Sequence, residues 1–221
     1  MEWGLRRVKI LEEITRWQPD VVTLQEVDHF FDDLQPALQR LGYTGLFVRK
    51  PLNADGAATF VKTSSLEVVS SHAYSYLEEE EEEGEGGSEG GVRSRPSNQV
   101  ALAVMVRNRK GRGRRKGEEE EEEKGRREEW LVVNTHLKAM KTAAGEQVRA
   151  SQARQLVAHI RAQREAYSRA HGRSLPVLLC GDFNAAPHDK EGRVTSPSLP
   201  PSSSPFPRRR RRRRRKGGIQ S

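Results

Sequence analysis

Two runs of six consecutive glutamates, Glu78–Glu83 and Glu118–Glu123, interrupt this 221-residue chain and limit what it can fold into. Neither run offers an apolar face, and like charges four residues apart oppose a helix. The surrounding stretches, about 77–96 and 107–129, are rich in Glu, Gly, Ser and Arg, with no apolar periodicity. They read as solvated insertions between strands, where long loops cost little entropy, and they are expected to hang from one end of a sheet. A third stretch, 190–221, is Ser/Pro-rich and then runs through Arg208–Arg215 and Lys216; it reads as a disordered tail. What remains is one domain over residues 1–189, carrying low-complexity insertions at 77–96 and 107–129.

Composition follows from those blocks. The chain carries a net charge of +8, yet residues 208–216 alone supply nine positive charges, so the rest is close to neutral. The basic pI therefore says nothing about the folded part. The arginine run has no interleaved aromatic residues, so base stacking is not suggested; its plainest function would be salt-sensitive nucleic-acid binding. The single cysteine, Cys180, excludes an intramolecular disulfide framework and fits a reducing compartment. An intracellular location is expected, the cytoplasm first and the nucleus second. No apolar run approaches the length of a membrane span, so no membrane partner is expected. His29, His72, His159, His171 and His188 lack the spacing of zinc ligands.

Between the charged blocks, strands and helices alternate. Leu5, Val8, Leu11 and Ile14 recur at helical spacing, and Pro19-Asp20 ends that helix. Val21–Leu24 reads as a buried strand. Asp32 or Asp33 is placed to cap a second helix through about Arg40, with Gly42 just past its end. Asp55-Gly56 marks a turn before strand-like 57–61 and 66–74; further strands are expected at 100–106 and 130–134. Ala150, Ala153, Leu156, Val157 and Ile160 form the stripe of a long helix, and 176–180 is a last buried strand. Strands covered by helices define a mixed α/β layer protein.

Three of those strands run straight into polar groups. Residues 21–26 end in the Glu26 carboxylate, 131–136 in the His136 imidazole, and 177–184 in Asp182 and Asn184. Strand ends are where such folds collect functional groups. If these ends converge, they form an oxygen-rich site beside an imidazole. Mg²⁺ selects that kind of donor and keeps positions open for phosphate. Taken singly, each residue has a plainer reading. Glu26 would be a solvated strand end, His136 a hydrogen-bonded structural residue, Asp182 a turn residue capping its own backbone, and Asn98 a loop terminus.

In order, Leu24-Gln25-Glu26-Val27-Asp28-His29-Phe30-Phe31-Asp32, Leu41-Gly42-Tyr43-Thr44-Gly45, Asp55-Gly56-Ala57-Ala58-Thr59-Phe60, Asn98-Gln99-Val100-Ala101, Asn134-Thr135-His136-Leu137-Lys138-Ala139 and Cys180-Gly181-Asp182-Phe183-Asn184-Ala185-Ala186-Pro187 resemble the endonuclease/exonuclease/phosphatase superfamily. They look most like its nocturnin and carbon-catabolite-repression deadenylase branch, and the flanks His29-Phe30-Phe31-Asp32 and Leu137-Lys138-Ala139 favour the nocturnin side of it. The resemblance implies an α/β (α+β) fold, a four-layer two-sheet sandwich flanked by helices, with a Mg²⁺-dependent phosphoesterase site at one sheet edge. It implies Glu26 as metal ligand, with Asp182 orienting the nucleophilic water and Asn184 contacting the phosphate. It further implies His136 as stabiliser of phosphoryl charge, Asn98 as pocket lining, and Lys50 and Lys138 as substrate-phosphate ligands.

The implied activity is removal of nucleotides from RNA 3′ ends, poly(A) in particular. The alternative on the same fold is a phosphatase for the 2′-phosphate of NADP(H). A third reading is a catalytically dead relic. It arises because the family's strand with a metal-site Asn and its closing Ser-Asp-His motif are not found here, and Met140 stands where an Arg is usual. The expectation is of an incomplete domain with exposed sheet edges.

Overall fold

The computed structural model describes residues 2–81, 92–109 and 128–185, all within a unit spanning residues 1–187. The centres of both insertions and the stretch 190–221 lie outside the described residues. Helix α1 (Trp3–Trp17) leads into strand β1 (Val21–Val27). A π-helical turn (Phe30–Leu34) continues into α2 (Gln35–Arg40). Strands β2 (Tyr43–Arg49), β3 (Gly56–Lys62), β4 (Leu66–Glu81), β5 (Val92–Asn108) and β6 (Glu129–His136) follow, then helix α3 (Ala143–His171) and strand β7 (Val177–Asp182). One sheet has the order β1-β3-β2 and the other β4-β5-β6-β7. Pairing is antiparallel except between β6 and β7, which α3 joins as a crossover.

The layers follow from which faces are apolar. The sheets face each other through Val61, Leu66, Leu102, Val104, Val106 and Val132. Helix α1 and the 30–38 segment cover the outer face of the first sheet, burying Ile14, Phe30, Leu34, Leu38 and Phe60. Helix α3 covers the second sheet over Leu131, Val133, Leu156, Tyr167 and Leu175. Each such side chain contributes roughly 1.5–3 kcal/mol on burial. Helix, sheet, sheet and helix make the four layers that the sequence resemblance implied. No helix among the described residues is long and apolar enough to cross a membrane.

Five expectations need correction, the first being the last buried strand: Leu178 and Leu179 of β7 are 46% and 39% exposed. In α1, Leu5 and Val8 are 61% and 47% exposed, and the helix packs through Trp3, Ile10, Leu11 and Ile14. Leu11 and Ile14 of the expected stripe do pack inward, while its first two members, Leu5 and Val8, face outward and Trp3 and Ile10 take their place. Neither Asp32 nor Asp33 caps α2. Asp33 instead takes the Trp3 indole N–H at 2.8 Å and pairs with Arg7, fastening α1 to the turn, while Asp32 bonds His29.

The insertions are shorter than the composition suggested. Residues 77–81 and 92–96 are strand, extending β4 and β5 into a paired ribbon. Its register sets Glu78 opposite Arg95 and Glu80 opposite Arg93, so an acidic strand lies on a basic one. At the other insertion, Arg107 belongs to β5 and Glu129 opens β6, where its carboxylate is buried. The insertions also leave from opposite ends of the second sheet. The ribbon extends β4 and β5 past Tyr76 and Ala101, whereas 110–127 joins the far ends of β5 and β6.

Candidate active site

Strand direction gathers the chemical groups. β1 and β2 both run antiparallel to β3, so Glu26 and Arg49-Lys50 lie at one end of the first sheet. In the second sheet β6 and β7 end together, His136 paired with Asp182, beside the part of β5 that holds Asn98. Two cross-sheet bonds bring these ends to one another. Gln25 Nε2 donates to Asn134 Oδ1 at 2.7 Å, and the Leu52 N–H donates to Asn98 Oδ1 at 2.9 Å. Glu26, Lys50, Asn98, His136, Lys138, Asp182 and Asn184 therefore occupy one end of the sandwich.

Glu26 is presented by a β-bulge. Leu24 pairs with Ala58 and Val27 with Gly56, so Gln25 and Glu26 together oppose Ala57. Glu26 takes φ 54°, a left-handed conformation that costs a non-glycine residue roughly 1–2 kcal/mol. Its side chain is exposed, clear of the ladder. A strained residue at a strand end is the kind of local cost that persists where the surroundings impose it.

His136 is 5% exposed, and its Nδ1 is buried without a hydrogen-bond partner among the described residues. The parallel ladder continues through it, the Leu137 N–H donating to the Asp182 carbonyl at 2.9 Å. Gly181 lets β7 come this close: a Cβ there would collide with the Thr135 carbonyl oxygen, at a φ of 151°. Asp182 is exposed, and one of its carboxylate oxygens accepts the Asn184 N–H at 2.9 Å. The turn reading of Asp182 is thus real, and it leaves the second oxygen available. Asn184, at φ 50°, donates Nδ2 to the Leu137 carbonyl at 2.8 Å, locking the turn onto β6.

The three residues assigned to substrate sit in different ways. Lys50 is 6% exposed, its ammonium donating to Asp55 at 2.5 Å. Burial pushes the Asp55 carboxyl up, but the Lys50 hydrogen bond and charge, with Asn53, hold it below the usual carboxylate range. Asn98 also donates Nδ2 to Asn53 Oδ1 at 3.1 Å, so it fastens the loop that carries Lys50. Lys138 lies in a loop whose backbone is held from α3. Gln152 Oε1 accepts its N–H at 3.0 Å, and Arg149 donates to the carbonyls of Lys138 and Met140 at 3.1 and 2.6 Å. Arg149, Gln152 and Asn134 escaped the sequence reading because buried polar residues leave no periodic signature.

The donor set at this end suits Mg²⁺. Among the described residues, no three His, Cys, Asp or Glu side chains group as a metal cage. The donors at this end are instead the exposed carboxylates of Glu26 and Asp182 and the Asn184 amide, all hard oxygens. That set fits an ion that keeps several waters and takes one or two carboxylates plus substrate phosphate oxygens.

The chain belongs to the Endonuclease/Exonuclease/phosphatase family, whose model matches residues 2–215. Within it, the chain is similar to rat nocturnin, 32% identical over 200 residues that cover 86% of this chain and 38% of that protein. Carbon catabolite repressor protein 4 homolog 3 of Arabidopsis thaliana is 28% identical over 190 residues, covering 85% of this chain and 34% of that one. Among solved structures, the human nocturnin catalytic domain with bound sulfate superposes with a TM-score of 0.61 at 30% identity, covering 85% of this chain and 59% of that domain. These place it in the nocturnin and carbon-catabolite-repressor branch. The chain spans less than two thirds of each of these relatives' lengths.

Proposed function

We propose that this chain is a Mg²⁺-dependent phosphoesterase that removes nucleotides from RNA 3′ ends, poly(A) in particular. The observation that carries the reading is the placement of Glu26, His136, Asp182 and Asn184 at the same end of the two facing sheets. The kinship with nocturnin supports it, as does the sulfate held by the human nocturnin domain, a tetrahedral oxyanion like phosphate.

Glu26 and Asp182 would hold the ion, which when bound polarises a phosphoryl oxygen. Asp182 orients the attacking water through the oxygen that Asn184 does not use. His136 donates to the charge that develops on the phosphoryl oxygens, and the Asn184 amide binds the same group. Lys138 supplies a positive charge for substrate phosphate, while the Lys50 ammonium, already paired with Asp55, would reach phosphate only by sharing its remaining donors. Asn98 keeps the loop that carries Lys50 in place.

The test is 3′-shortening of a labelled oligoadenylate by the whole chain with Mg²⁺. AMP release that disappears with EDTA and in Glu26→Ala supports the proposal. Removing Glu26 is expected to lower the rate at least about 100-fold, as for loss of a central stabilising group. Phosphate release from NADPH with intact RNA would move the substrate to the dinucleotide. Hydrolysis of neither would overturn the proposal in favour of a relic.

A further inference from the structure

Asn134 lies on β6 two positions before His136, on the face that looks toward the first sheet. It is fully buried between two apolar sheets. Its Nδ2 donates to the carbonyls of Leu24 at 3.0 Å and Ala58 at 2.8 Å, and its Oδ1 accepts from Gln25. All three bonds cross from the second sheet to the first. Leu24 and Ala58 form the last regular pair before the bulge, so the amide grips both strands on the rung from which Gln25 and Glu26 depart. Gln25 is itself a bulge residue, and its side chain returns to the same amide.

A buried carboxamide in this position is costly unless its bonds are made. An apolar side chain of similar size would fill the same space. What the bonds secure is a backbone segment that carries the positive φ of Glu26. We propose that Asn134 and Gln25 form a cross-sheet clamp that fixes the Glu26 bulge and so sets where the Glu26 carboxylate offers its oxygens to a divalent cation. Both are positioning residues. The clamp rests on the phosphoesterase reading only in giving Glu26 that task.

The test compares the whole chain with Gln25→Ala, Asn134→Val and Leu156→Ala. Two quantities are read: amide hydrogen exchange at residues 24–27, and Mn²⁺ affinity from the paramagnetic resonance of the bound ion. Gln25→Ala and Asn134→Val are expected to lose protection at 24–27 and to bind Mn²⁺ about tenfold more weakly, the scale of a lost ligand-orienting contact. Leu156→Ala, in the core under α3, should lower the melting temperature while leaving both quantities unchanged. Should Asn134→Val not fold, the half-buried Gln25→Ala decides alone.

Unchanged protection and unchanged affinity in Gln25→Ala overturn the clamp. Failure of the parent chain to bind Mn²⁺ overturns the task given to Glu26. A parent chain that binds Mn²⁺ but hydrolyses neither RNA nor NADPH removes the proposed activity, while the two variants still support the clamp.

Discussion

Glu26 combines an exposed carboxylate with a backbone conformation that suits glycine. Stability and chemistry should therefore part at this position. Glu26→Gly is expected to leave the chain as stable as before or up to about 1 kcal/mol more so. The same change should abolish the proposed Mg²⁺-dependent hydrolysis. Paired urea titrations and oligoadenylate assays check this, and a variant that loses stability would mean that the φ of 54° is not strained. Glu26, His136, Asp182 and Asn184 were legible because they follow runs rich in apolar β-formers, Val21–Leu24, Leu131–Val133 and Val177–Leu179, whereas Lys50, Asn98 and Lys138 came only from the family resemblance. Their supports were not legible. Nothing in the order of residues says that Asn134 faces Gln25, 109 positions away, or that Arg149 turns back onto Met140. Such bonds depend on tertiary placement of polar groups that also occur commonly on surfaces.

At the scale of elements, the same blindness shows at the start of β6. Composition assigned Glu129 to a solvated insertion, yet its carboxylate ties three elements together. It accepts from Arg107 on β5 at 2.7 Å and from Tyr167 on α3 at 2.6 Å, with Arg173 beyond α3 at 3.4 Å. Burial pushes this carboxyl up, but the bonds from Tyr167 and Arg107 and the charges of Arg107 and Arg173 outweigh it and hold it below the usual range. A group with a lowered folded value stabilises the protein above its unfolded value, and that contribution is lost as pH falls through the folded one. Glu129→Gln should therefore cost about 2 kcal/mol at neutral pH. The gap from the parent chain should close as pH drops below the usual carboxylate range. Melting curves from pH 7 down to pH 3 read this directly, and a gap independent of pH would deny the ion pair its role. The ribbon was hidden for a related reason: a glutamate run reads as repulsive until its partner strand sets Arg95 against Glu78.

For the molecule as a whole, the resemblance carried by the ordered motifs implied the four layers, and the expectation of exposed sheet edges agrees with the two bordering strands. β7 borders the second sheet with Leu178 and Leu179 46% and 39% exposed, and β1 borders the first. An apolar edge strand is a template for pairing with other chains. The purified chain is expected to associate as its concentration rises. Leu178→Lys should lower light scattering several-fold with a melting temperature within about 3 °C of the parent, as for a surface change of about 0.5 kcal/mol or less. Scattering that does not fall would locate the sticky surface elsewhere, α1 with Leu5 and Val8 being next.

At the far end of that sheet, the Asn108 N–H already donates to the Glu128 carbonyl at 3.0 Å. The ladder is closed before the intervening tract is counted, and doubling that tract adds only about 0.6 kcal/mol of closure entropy. A glutamate repeat that lengthens or contracts there by copying error would pass almost unnoticed by the folded domain. One inserted between Glu81 and Val92 would lengthen the ribbon at the end of the sheet that carries His136 and Asp182, where the proposed polyanionic substrate would arrive.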